Sequence, residues 1–255
     1  MEVGDDIYVY IKMEKVMKSL IRYFDNTFYS DYSDNWDDWL FREAILEHLE
    51  SSHTLLDIGA GAGIIDAMNF KGLAGKVVGL DPDPRVVENP NLDEGHIGVG
   101  ELLPFEDNMF DIVIMDNVAE HLVNPEEVFA AIFRVTKPGG VLLFKTPNRF
   151  HYMPLVAMLT PVAFHRYFNK LRGRQAEDTF PTQYKANSKG QVNKLAEIVG
   201  FKSPHFRFIE GRPEYLRMNA ILYSIGLVYE RITNLHDIFE RFRVLMICEL
   251  VKPEN

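Results

Sequence analysis

From residue 54 onward the apolar positions gather into short continuous runs, separated by stretches in which they recur at helical spacing. The runs at 54–58, 76–80, 96–99, 110–116 and 140–146 have the length and aliphatic content of strands covered on both faces. Helical spacing predicts segments at 64–71, 85–88 (short) and 125–135. Alternation of this kind predicts right-handed crossovers and a parallel sheet sandwiched between helices. Ahead of it lie two helical pieces, 9–24 and 36–50, joined by a segment at 25–34 whose Asn, Asp and Ser content predicts a loop. After Asn148 the pattern breaks into an apolar, aromatic stretch at 151–175. A helix at 189–199 follows and ends at Gly200, a C-cap. Late strands are expected at 206–209 and 244–251, with a mostly helical insertion at 213–239. The division expected is one domain: a helical cap at 1–50, a ligand-binding core at 51–148 and substrate-side elements with closing strands at 149–255.

Composition changes this picture little. A chain of 255 residues fits one core with elaborations. Its net charge of -10 argues against neutralising nucleic-acid phosphates. The single cysteine, Cys248, allows no internal disulfide and no cysteine-rich metal site. No window holds about 18 uninterrupted apolar residues, and the first residues lack a basic start, so a cytoplasmic location is expected.

The candidate chemistry sits at the ends of the strand runs. Asp57-Ile58-Gly59-Ala60-Gly61-Ala62-Gly63 turns a strand into a glycine loop that a bulky nucleoside can approach closely. Its third glycine comes one position earlier than in the dinucleotide pattern G-x-G-x-x-G, where Ile64 would stand. Asp81, before Pro82, closes the second strand; a carboxylate there can accept both hydroxyls of a ribose. Gly98-Val99-Gly100-Glu101-Leu102-Leu103-Pro104-Phe105 follows the third. Asp116-Asn117-Val118-Ala119-Glu120-His121 follows the fourth, and Lys137-Pro138-Gly139-Gly140 precedes the fifth. The proline and glycines are expected to stop a helix and turn the chain back into the sheet.

Together these four segments resemble the class I S-adenosylmethionine-dependent methyltransferases, in their small-molecule group of the type 11 and ubiquinone-biosynthesis kind. The resemblance is close over about 40–148 and looser through the late strands. It implies a Rossmann-like, doubly wound α/β sheet of seven strands, mostly parallel with the last antiparallel, and S-adenosyl-L-methionine as cofactor. It implies cofactor contacts from Asp57, Gly59, Ala60, Gly61, Gly63, Asp81, Pro82, Gly100, Glu101, Leu102, Asp116, Asn117 and Val118. Val99 stands where the family carries the acid that meets the adenine amino group, leaving that contact to Glu101 or to backbone groups.

Methyl transfer to oxygen needs a base. His121, in the loop after the fourth strand, and His151, after the fifth, are the candidates, with a loop-holding role the alternative for His121. The expected partner is a small molecule, with O-methylation of a hydrophobic or lipid-linked acceptor the leading expectation; no nucleic acid or metal is expected. The apolar run with Arg166, Lys170, Arg172 and Arg174 adds possible peripheral membrane contact through 151–174. An NAD(P)-dependent oxidoreductase and a catalytically degenerate cofactor-binding regulatory subunit remain the alternatives.

Overall fold

A computed structural model describes residues 3–159 and 181–254. Seven strands form one sheet in the order β3-β2-β1-β4-β5-β7-β6. These are β1 Thr54–Ile58, β2 Lys76–Asp81, β3 Glu94–Ile97, β4 Phe110–Asp116, β5 Thr136–Pro147, β6 His205–Ile209 and β7 Leu245–Val251. The first five run parallel, and β7 lies antiparallel between β5 and β6. This is the sheet expected from the sequence. Helices α1 Val3–Phe28, α2 Trp36–Leu46, α3 Pro125–Val135, α4 Tyr152–Leu159, α5 Lys189–Val199 and α6 Ala220–Leu235 surround it.

Side chains alternate across each strand, so each face buries its own set. Leu56, Val78, Val113, Leu142 and Phe144 pack beneath α3 and α5 through Val128, Phe129, Ile132, Val192 and Leu195. On the other face Leu55, Val77, Ile112, Ile114, Val141 and Leu143 meet Phe41, Ala44 and Ile45 of α2. That second face matters for the site: Asp57, Asp116 and Lys145 continue it at the carboxyl ends of β1, β4 and β5. The start of α2 lies over them.

Several sequence expectations are corrected. The helix expected at 64–71 does not form; one 3-10 turn, Asp66–Met68, stands there. Arg42 of α2 donates to the carbonyls of Ala67 and Asn69, both at 2.7 Å, and its guanidinium lies 4.8 Å from the Phe70 ring centre. Those bonds take backbone acceptors that a helix would use, while Ala67, Met68 and Phe70 are buried under α2. The expected loop at 25–34 begins later, because α1 runs to Phe28. Asp25 is held there by Arg217 (2.8 Å) and by the Tyr223 hydroxyl (2.7 Å), tertiary partners that override local propensity. The helix expected over 36–50 stops at Leu46. Strand β3 spans 94–97 rather than 96–99, and the short helix near 85 is 3-10, Pro84–Glu88.

Lys137-Pro138-Gly139-Gly140 is not a turn into the strand but a bulge inside it. Pairing jumps from Phe110–Thr136 to Ile112–Val141, and Gly139 takes φ 78°. Lys137 Nζ crosses back to both oxygens of Asp111, at 2.9 and 2.8 Å. Helix α6 and a 3-10 segment, Asp237–Phe242, make up the later part of the expected insertion. The basic cluster Arg166, Lys170, Arg172 and Arg174 lies outside the described residues.

Candidate functional site

The carboxyl ends of β1, β2 and β4 bring Asp57, Asp81 and Asp116 together around the glycine loop. Gly59, Gly61 and Gly63 all take positive φ, at 85°, 53° and 73°. At Gly59 a Cβ would lie 2.3 Å from Val118 Cγ2, so the loop and the post-β4 segment touch only because the side chain is absent. Around Gly61 nothing lies within 4 Å of that position, which leaves backbone open to a ligand.

The sequence did not signal what holds this loop. Asn89, buried after the 3-10 turn that follows β2, donates from Nδ2 to the carbonyls of Ala60 (3.0 Å) and Gly61 (3.1 Å). Asn91 donates to Gly63 O at 3.2 Å. Its only sequence trace was a turn-like Asn-Pro-Asn; the contact spans about thirty residues and has no local signature.

Asp81 is already engaged. Its Oδ2 accepts from Gly61 N at 2.9 Å and its Oδ1 from Asp83 N at 2.7 Å, and each oxygen keeps a lone pair for a further donor. Asp57 differs. It is buried and accepts no hydrogen bond from the described residues; burial, then the charges of Asp116 and Asp81, push its carboxyl up to about 8. Asp116 is pushed up to about 6 by burial, against the pull of Lys145. Its Oδ1 receives Lys145 Nζ and Asn117 Nδ2, both at 2.9 Å, while its Oδ2 is buried without a partner. The geometry offers a crevice lined by three acids whose one lysine is already paired with Asp37, Asp38 and Asp116.

Beside it, Pro82, Val99 and Leu102 are exposed on the loops after β2 and β3, and Ile64 follows the glycines, 87% exposed. Gly100 packs its backbone against Val128, and Glu101 is half-buried. Asn117 holds φ 53°, uncommon for a side-chain-bearing residue, and donates its amide to Lys145 O at 3.0 Å. Thus the expected contact residues lie at the carboxyl ends of β1, β2 and β4 and on the loops that follow β1 to β4.

The two histidines are separated in kind. His121 is partly exposed, with Nδ1 3.1 Å from Pro181 O. Next to it buried Glu120 accepts from Thr146 Oγ1 (2.8 Å) and, through its carbonyl, from Gln183 N (2.6 Å); burial raises its carboxyl. Glu120 and His121 thus fasten 181–184 to the end of β5. His151 is enclosed, 1% exposed, with Nε2 3.7 Å from Glu210 Oε1 and its ring 4.0 Å from Tyr152 and 5.6 Å from Tyr229. Glu210 is itself buried, which raises its carboxyl against the counter-pull of His151.

A dinucleotide pyrophosphate needs a helix N-terminus after the glycine loop. Only the three-residue 3-10 turn at Asp66–Met68 follows here. Comparison with known families agrees: residues 56–144 match the family described as methyltransferase domain. Over those residues the chain is similar to a methyltransferase domain. A probable S-adenosylmethionine-dependent methyltransferase of Mycolicibacterium smegmatis is 35% identical over 114 residues, 43% of this chain and 44% of that protein. The chain spans about half the length of the curated relatives it matches. Among solved structures, the YcgJ protein of Bacillus subtilis aligns with TM-score 0.52 and 18% identity, over 85% of this chain and 99% of that one. The [4+2]-cyclase SpnF aligns with TM-score 0.55 and 14% identity, over 88% and 86%. At such identities the likeness is of fold, and a fold shared with a cyclase does not by itself fix the reaction.

The folded chain therefore keeps a carboxyl, Asp57, protonated that is ionised when unfolded. Between about pH 4 and pH 8 the native state binds the extra proton, so this group's contribution to stability falls as pH rises. Asp57→Asn should accordingly stabilise the ligand-free protein by several kcal/mol more at pH 8.5 than at pH 5. Urea midpoints at the two pH values measure this; equal shifts at both would contradict it.

Proposed function

We propose that this chain binds S-adenosyl-L-methionine and transfers its methyl group to a small-molecule acceptor. The observation that carries the reading is the buried carboxyl of Asp57, which has no cationic partner, beside the unpartnered second oxygen of Asp116, whose first oxygen takes up Lys145. A methionine-derived donor brings an ammonium and a sulfonium, whereas a dinucleotide brings a diphosphate that these acids would repel. When bound, the donor supplies an activated methyl group on positively charged sulfur; the chain has to orient and shield it. In this reading Asp57 holds the ammonium, and Asp81 takes the ribose hydroxyls on its remaining lone pairs. Gly59, Ala60, Gly61 and Gly63 line the aminoacyl and ribose portion. Pro82, Leu102 and the backbone of Gly100 and Glu101 border the adenine, with Asp116, Asn117 and Val118 at the methyl end. The 1–50 cap and the 149–255 elements shape the acceptor side.

For the acceptor we favour oxygen, with His121 as base. With Nδ1 donating to Pro181 O, its Nε2 is the basic nitrogen, and the Glu120 carboxyl 4.0 Å from it would stabilise the protonated ring. His151, shut in by tyrosines and Glu210, suits an orienting part better. A hydrophobic acceptor draws support from α6, where Ile221, Ile225, Val228, Ile232 and Leu235 are all exposed. Of the stretch at 151–174 only α4 lies within the described residues, and no described helix is long and apolar enough to cross a membrane.

S-adenosylhomocysteine at a hundred times its dissociation constant should stabilise the protein by about 2.7 kcal/mol, while NADH should not shift its melting temperature. A shift with NADH alone would favour the oxidoreductase, and a shift with neither would sink both. With an acceptor in hand, His121→Ala should lower kcat about 10²–10⁴-fold with product affinity kept. An unchanged kcat removes the base role.

A further inference from the structure

Lys145 is an unusual residue for its place. It stands in the middle of the sheet, near the end of β5, and its side chain is fully buried. Its Nζ has three N–H donors and three carboxylates to receive them: Asp37 Oδ2 at 2.9 Å, Asp116 Oδ1 at 2.9 Å, and Asp38 Oδ1. None is left for a ligand. Burial works against its charge, but Asp116, Asp37 and Asp38 outweigh that and raise its pKa.

What Lys145 does is visible in its partners. Asp37 and Asp38 open helix α2, so the ammonium ties the N-terminal cap to the carboxyl end of β4. Asp116 pairs with Lys145 in strand register as well as through the side chains. Its Oδ1 is held from two sides, by Lys145 and Asn117, and this fixes the carboxylate plane. Among the described residues its Oδ2 is the one fully buried carboxylate oxygen without a hydrogen bond. Asp57 lies on the same face of the sheet, since Asp57 pairs with Ile114, two residues before Asp116. The charged groups that surround Asp116 are therefore Asp37 and Asp38 from α2, Asp57 from β1, and Lys145 from β5, with Asp81 of β2 acting on Asp57 from the far side.

Resting on the methyl-donor reading above, we propose that Lys145 is the positioning residue of the donor site. It locks the α2 cap over β4 and β5 and sets Asp116 so that its second oxygen meets the cationic end of the donor. Lys145 itself touches no ligand. Without it, Asp116 keeps only the Asn117 amide, stands among three acids, and takes up a proton at higher pH.

The test is binding of the charged donor, S-adenosyl-L-methionine, by calorimetry between pH 6 and pH 9, with folding of each variant checked by its near-ultraviolet circular dichroism. Lys145→Met should weaken binding at least tenfold at pH 7.5 and move the pH at which affinity is lost upward. Lys145→Arg should recover part of both effects. Asp116→Asn should weaken binding comparably, and the double variant should bind no worse than Asp116→Asn alone, because the two act through one contact. If Lys145→Met does not fold, the Asp37→Asn and Asp38→Asn pair, which hold Lys145 and meet no donor atom in this reading, should still weaken binding several-fold. Affinity within twofold of the unaltered protein and an unmoved pH profile, in Lys145→Met or in the aspartate pair, would overturn the positioning role while leaving donor binding intact. No binding by the unaltered protein would overturn the donor reading and this one with it.

Discussion

Carboxylates buried near one another repel, and the carboxyl ends of β1 and β4 hold two of them. Asp57 meets this by staying protonated up to about pH 8, and Asp116 by sharing a buried lysine with the cap. Both solutions cost stability that an apolar pair would not. Such an arrangement makes sense where a cation completes it, so strain in the ligand-free state and affinity for a positively charged ligand are two sides of one design. Much else in the molecule answers to that constraint. The cap must reach over the sheet to deliver Asp37 and Asp38, and the glycine loop must stay open at Gly61 while closed at Gly59.

The departure after β1 has the same logic. Where the sequence pattern predicts a helix, the chain lays turns and one short 3-10 segment under α2, pinned by Arg42. The glycine loop is therefore followed by no α-helix dipole that would attract an anion. This arrangement also lets α2 lie close to the sheet, with its acidic first turn over Lys145. The missing helix and the buried ion cluster thus meet in one place, where α2 rests on the sheet.

The strands were legible because five of them are continuous apolar runs, and a parallel central strand has little other way to be written. Asp57, Asp81 and the glycines were legible because their position at strand ends is local information. What was not legible depends on partners distant in sequence. Arg42 decides the fate of 64–71 from twenty-five residues away, Arg217 and Tyr223 extend α1, and Asn89 braces the glycine loop. Lys145 reads as a strand residue in Leu-Leu-Phe-Lys-Thr; nothing nearby announces that Asp37 and Asp38 will surround it. His151 sat at the expected end of the sheet, yet its burial against Glu210 follows from α6 and β6, which the spacing alone could not dock.

The central claim is that the crevice is built for a cation that displaces a proton from Asp57. Calorimetric titration of S-adenosylhomocysteine at pH 7 in buffers of differing ionisation enthalpy measures that displacement directly. The account predicts release of close to one proton per molecule bound at pH 7, fading to none by about pH 9.5, as expected for a carboxyl that titrates near 8 when empty. Binding without proton release, or with proton uptake, would contradict it.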